Sequence, residues 1–252
     1  MTKQSGIGDQ LFIAGYDISG DVGSIDRCSS NSEALDITAI NASGHERLLG
    51  RFDGEISFAH YFNDASLQEH VALAAKGSGA DRVVTYFRSS AIGNVAAGLV
   101  AKQINYDWDR PADGSLTGKT QCLASNKGLD WCEQLTVGKR TDTGATNGAS
   151  RNNGGSSSTG LAAYLQVFSF TGTDATVKIE ASSNDGGGDP YAMITGGAFA
   201  QIEAGNPAPT AERICTALDQ AVEQYLRVVT STTGGFSSLI FAVCATREPV
   251  VL

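Results

Sequence analysis

The sequence predicts a mainly β protein in two parts: a β-barrel or sandwich carrying one α-helix, followed by a C-terminal β-sandwich domain. Three observations predict it. Thirty glycines stand against five prolines among many Ser, Thr, Asn and Asp, which suits many tight turns and few long helices. Several segments alternate apolar and polar residues with the period of two of a half-buried strand. A single segment repeats at helical spacing.

Taken in order, Gln10–Ile18 reads as a weak strand. Phe52, Ile56, Phe58, His60 and Phe62 alternate with polar neighbours, so residues 51–62 read as a long one. Asp64–Lys76 is the expected helix: Leu67, Val71 and Ala74 or Ala75 recur at its spacing, Ser66 and Glu69 fit a capping box, and Gly77 stops it. Strands follow at Arg82–Phe87, Ala97–Trp108, Gly118–Ser125 and Trp131–Val137. Residues 139–160 hold almost no apolar side chains, and a linker at 141–159 is expected, separating domains at 1–140 and 160–252. The alternative is a long hairpin loop inside one domain. Beyond it, Leu161–Phe170 and Ala175–Ser182 are expected to pair as a hairpin across Gly172. Ser238–Ala245, nearly all apolar, reads as a central strand buried on both faces. A strand over Ala221–Thr230 is favoured, and Ala211–Leu218 stays open between helix and strand.

Composition narrows the chemistry. Of 252 residues, 41% are hydrophobic and 18% charged, enough to fill a core. The formal net charge is −9 and no basic run occurs, which argues against tight binding of phosphate or nucleic acid. Cys28, Cys122, Cys132, Cys215 and Cys244 form no C-x-x-C pair and read as free thiols from a reducing cytoplasm. No apolar run approaches the roughly 18 residues of a membrane span, and the opening Met-Thr-Lys-Gln-Ser lacks a signal peptide's apolar stretch, so no membrane partner is expected.

Catalytic and cofactor patterns are missing. Asp113-Gly-Ser-Leu-Thr-Gly-Lys119-Thr120 is one residue short of a phosphate-binding loop. Asp107, Asp109 and Asp113, and separately Asp185 and Asp189, sit near glycines as cation ligands do, but such clusters are more often turns that bond their own backbone. His60 and His70 read as structural. No nucleophile elbow or zinc-protease motif is present, so no catalytic, metal or cofactor residue is assigned and no enzyme is expected.

Tyr16-Asp-Ile-Ser-Gly-Asp-Val-Gly-Ser-Ile25, Leu35-Asp-Ile-Thr38 and Arg51-Phe-Asp-Gly-Glu-Ile-Ser-Phe58 resemble the N-terminal pattern of tail tube proteins of long-tailed bacteriophages. Ala97–Tyr106, Asp113–Leu116 and Leu135–Thr141 continue the resemblance. Gly160–Val167, Gly172–Glu180 and Gln224–Val229 are similar to β-sandwich segments of phage tail proteins. Membership would imply six copies per ring and stacked rings around a channel in the virion tail, built in the host cytoplasm. The partners implied are further copies of the chain, tape-measure, terminator and distal tail proteins, and double-stranded DNA that passes without specific binding. On that view residues 51–62 and 97–108 form the lumen, residues 20–50 make an inter-ring contact, and Asp53, Glu55, Ser57, Lys102 and Asn105 are the lumen or inter-subunit candidates. The acidic balance would let DNA slide without sticking. The rival readings are a carbohydrate-binding module using Tyr164, Tyr191 or Tyr225, and a decoration protein of the virion surface.

Overall fold

A computed structural model describes residues 5–75, 79–206 and 208–249. Among the described residues, eighteen strands and one short helix follow in order: β1 (Gln10–Ile13), β2 (Tyr16–Asp17), β3 (Val22–Asp36), β4 (Arg47–Tyr61), α1 (Glu69–Leu73), β5 (Arg82–Phe87), β6 (Val95–Gln103), β7 (Asp107–Asp109), β8 (Thr117–Ala124), β9 (Asp130–Gln134), β10 (Arg140–Asp142), β11 (Thr146–Asn152), β12 (Ala162–Gly172), β13 (Asp174–Ser182), β14 (Ala192–Ala198), β15 (Ile202–Glu203), β16 (Thr210–Cys215), β17 (Tyr225–Ser231) and β18 (Phe236–Thr246). The fold is mainly β, in two antiparallel sheets.

The larger sheet has 13 strands and runs β16-β12-β18-β9-β6-β5-β1-β2, with β8, β4 and β3 branching from β6. The smaller has five strands, in the order β11-β17-β13-β14 with β15 beside β13. Three apolar clusters hold them together. Leu11, Ile13, Ile56, Phe58, Leu99 and Leu129 fill the N-terminal part, into which α1 inserts Ala72 and Leu73. Leu165, Val167, Val177, Ile179, Val228 and Phe241 fill the sandwich between the two sheets. A third cluster, with Phe12, Phe87, Tyr164, Ala242 and Cys244, lies on the other side of β12 and β18. The strand read as buried on both faces, β18, is therefore flanked by two clusters.

Inside this third cluster Tyr164 is 1% exposed and donates to Oδ2 of Asp130 at 2.5 Å, while Arg213 donates to the same carboxylate oxygen and to the phenol oxygen, both at 3.0 Å. Three strands, β9, β12 and β16, are tied by this buried charge pair. The ring presses on Gly98 of β6, where a Cβ would stand 2.4 Å from ring carbons. Burial and the Asp130 carboxylate push the phenol well above its ordinary range, so it is a permanent donor here.

Several expectations are corrected. Gln10–Ile18 is broken at Ala14 and Gly15, whose φ values of 51° and 85° turn the chain back into the β1–β2 hairpin. The 97–108 strand is interrupted between β6 and β7. The helix spans five residues with no side-chain cap at Gln68, because Glu69, instead of reaching back to Ser66, is fully buried with Oε1 2.8 Å from Nδ1 of His60. Its phase also differs: Leu67 and Val71 are exposed while Ala72 and Leu73 are buried. Lys76 and Gly77, the expected helix end, lie outside the described residues. The expected β12–β13 hairpin is a corner between sheets, since β12 pairs with β16 and β18 and β13 with β14, β15 and β17. Both strands place side chains in one sandwich core from opposite sides without pairing with each other. Residues 141–159 carry β11, paired to β17 from Thr146 to Asn152. Ala211–Leu218, left open, supplies β16.

Candidate assembly surface

The surface is built on the β3–β4 hairpin. From Val22↔His60 to Asp36↔Arg47 the two strands pair over 15 residues each, and β4 continues into β8 from Glu55↔Leu123 to Tyr61↔Thr117. Alternation sorts the side chains. Ile56, Phe58 and His60 are buried against the N-terminal core, and Thr120 Oγ1 lies 3.1 Å from Nε2 of His60. Asp53, Glu55 and Ser57 point the opposite way, and register places them among neighbours on the same face: Ser29, Glu55, Leu123 and Lys102 form one row, and Arg27, Ser57 and Gln121 the next. Four of the five sequence candidates therefore share one polar sheet face. Asn105 holds the adjoining crossover in place, accepting from the backbone N–H of Gln121 at 2.7 Å and donating to Asp107 at 2.6 Å.

Charge on this face is mixed. Arg27 Nε lies 3.4 Å from Glu55, Lys119 Nζ 3.8 Å from Asp26, and Lys102 Nζ 2.9 Å from Asp81, whose carboxyl is lowered first by the Ser125 hydroxyl and then by Lys102. The excess of acid in the composition thus does not become an unbroken acidic lining here. Ion pairs this exposed contribute about 0–1 kcal/mol each, so they shape the field more than the stability.

Support beneath the hairpin ends at Gly54, where a Cβ would stand 2.5 Å from the backbone nitrogen of Leu129, and at Ser30, which donates to the Leu129 carbonyl at 2.9 Å. Beyond them the ribbon runs free. Leu35, Ile37, Ile40, Leu48 and Leu49 are 43–107% exposed there. Asp36 shapes the tip, its carboxyl lowered chiefly by the hydroxyl and N–H of Thr38. Among the described residues β3 pairs only with β4, so its outer edge is an open row of backbone donors and acceptors. The apolar tip was not read from the sequence; the signal was Leu48-Leu49, which breaks alternation next to Gly50.

Other candidates resolve as structural. Asp113 accepts from the N–H and hydroxyl of Ser115 in the exposed β7–β8 turn, and Asp189 accepts from the Ser183 N–H. Among the described residues no cluster of three or more His, Cys, Asp or Glu side chains suits a metal ion. Tyr164 is buried and so is no stacking platform; Tyr191 is covered by the Arg227 guanidinium, 4.0 Å from its ring centre. Among the described residues no helix is long and apolar enough to cross a membrane.

No protein-family model matches the chain, and no curated protein does. Solved structures with partial likeness include a chain of the virion of a native gene transfer agent particle, 18% identical, covering 51% of this chain and 98% of that one with a TM-score of 0.41. The Dit protein of phage SPP1, described as part of a hub adsorption apparatus, is 11% identical over 94% of this chain and 99% of its own, with a TM-score of 0.35. The tube-terminating cap of the anti-feeding prophage is 6% identical over 52% of this chain and 91% of that one, with a TM-score of 0.41.

Proposed function

We propose that this chain is a structural protein of a phage tail that assembles through its β3 edge into rings, hexameric by its sequence resemblance, and through stacked rings into a tube. The observation that carries the reading is the unpaired outer edge of a 15-residue strand on a ribbon that outruns its own core. A two-stranded ribbon is marginal in water without further cover, and an open edge templates pairing with another chain. At the other side of the same four-stranded face β7, among the described residues, pairs with β8 alone, so a neighbour can pair heterologously, β3 to β7, over the three residues of β7. The polar face with Asp53, Glu55, Ser57 and Lys102 then lines the channel. Paired charges of both signs leave no basic groove to hold a duplex, which suits DNA in transit. Residues 160–252, with the sandwich core, form the outward part. Electron microscopy of the purified full chain tests this: rings or tubes are expected, and a population of single particles at all concentrations overturns it.

A further inference from the structure

We propose that the slot along the open edge of β11, between the sandwich and the N-terminal part, takes an extended peptide of a different protein as a sixth strand of the smaller sheet. Register defines its floor. Ala245, Glu133 and Val95 stand abreast on β18, β9 and β6, on the face that carries the sandwich core. Cover over this row fails from one strand to the next: Ala245 is 5% exposed, Glu133 is half-buried and Val95 is 52% exposed. Along β9 the cover fails only in the middle. Leu129, just before the strand, is fully buried against Gly54, and Leu135, just after it, is buried in the sandwich core, whereas Trp131 between them is 51% exposed.

Arg151 of β11 fixes how far the smaller sheet reaches. Its Nε and Nη2 donate to Oε2 and Oε1 of Glu133 at 2.7 and 3.0 Å, so the sheet ends above β9. Among the described residues β11 pairs only with β17, and neighbouring strands lie about 4.8 Å apart, so one more strand beside β11 would lie above β6 and cover Val95 and Trp131. An open edge beside a bare apolar floor suits strand addition, in which backbone hydrogen bonds hold the peptide and hollows for alternate side chains select it. Two hollows flank the Arg151–Glu133 bridge. One, of about 240 Å³, lies among Trp131, Leu226, Asn153 and Arg247, and the other, of about 400 Å³, among Ile92, Val137, Gly148 and Ala149.

Hollows and bridge together set the chemistry of the occupant. Inward side chains recur every second residue, about 6.8 Å apart, so a large apolar one enters each hollow and a small one lies between them over the ion pair. Glu133 and Arg151 already neutralise each other, and a charged side chain facing them would lose its water without gaining a partner, so the inward face is uncharged. Trp131 gives one anchor a broad ring to pack on. Neither β3 nor β7, the edges proposed for the ring, carries two large apolar side chains four residues apart, so neither meets these requirements.

Seven-residue peptides with blocked ends test the slot on the full chain. Threonine fills their outward positions, alanine the central inward one, and leucine, phenylalanine or tryptophan the second and sixth. At least one member should bind with a Kd below about 1 mM by calorimetry, shield Trp131 from hydroxyl-radical oxidation and slow amide exchange over residues 146–152. Methylating one alternate set of that peptide's backbone nitrogens should weaken binding about tenfold or more, while methylating the other set should not; Trp131→Ala should weaken it to a similar degree. A panel in which no member shields Trp131, or methylated peptides that both bind as tightly as the parent, overturns the proposal. So does a Trp131 that becomes shielded as the chain is concentrated without peptide, which would give the slot to a second copy. None of these outcomes depends on whether β3 forms rings.

Discussion

Asp174 shows how much structure one carboxylate can organise. Its oxygens accept from the N–H groups of Thr233 and Gly234 and from the hydroxyls of Thr232 and Thr233, fixing the turn between β17 and β18. These bonds, led by the Thr233 N–H, hold its carboxyl at about 2. A depressed value means that the stabilisation is complete above the ordinary carboxylate range and is lost as pH falls through about 2. Asp174→Asn should therefore lower the urea midpoint by a constant amount above pH 5, with the gap to the parent closing between pH 4 and 2. A gap independent of pH would show that the charge plays no part. His60 is equally exact in its fit, with Thr120 on one ring nitrogen and Glu69 beside the other, and both side chains of the His60–Glu69 pair are sealed from solvent. It illustrates what single residues hide: the alternation of residues 51–62 put His60 on the buried face, but nothing in the spacing of Ser66 and Glu69 said that the glutamate would leave its cap for a distant histidine.

At the scale of elements, strands were legible wherever one face is buried and the other wet. β4, β5, β8 and β13 lie close to the segments read from alternation, and β18 was found as an uninterrupted apolar run. Pairing was not legible. β12 and β13 were read as the two arms of a hairpin, yet each pairs within a different sheet, since an apolar pattern reports which faces are buried and not which strand lies alongside. Polar β11 was missed because its hydrogen bonds to β17, and not apolar burial, make it a strand. The helix failed for a related reason: five residues cannot show a period, and its stability comes from packing Ala72 and Leu73. Close approach between elements gives a sharper test. Gly98 of β6 lies under Tyr164 of β12, whose hydroxyl is fixed by Asp130 and Arg213, so the ring has no room to yield. Gly98→Ala should cost about 1–3 kcal/mol by chemical denaturation; an unchanged midpoint would mean that the layers slide freely.

Across the whole molecule, the net charge of −9 and the charge of the proposed channel face are different quantities. Arg27, Arg51, Lys102 and Lys119 stand among Asp26, Asp53, Glu55, Asp81, Asp107 and Asp109, so the face carries both signs and a single reversal should tilt it. Asp53 is exposed and accepts from the N–H of Gly54. Asp53→Lys is expected to leave tubes intact while slowing DNA delivery by particles built from it, and normal infectivity would count against the channel assignment. Asp53, Glu55 and Ser57 were legible as one side of an alternating strand; the apolar tip was not, because an exposed leucine looks like a core leucine until the ribbon is seen to outrun its support. Backbone groups along β3 carry the account as a whole. Hydrogen exchange of residues 22–36, measured across a concentration series, reads them directly. Rapid exchange in dilute protein that becomes strongly protected as copies associate is the predicted result, and exchange along β3 that stays the same at every concentration would contradict it.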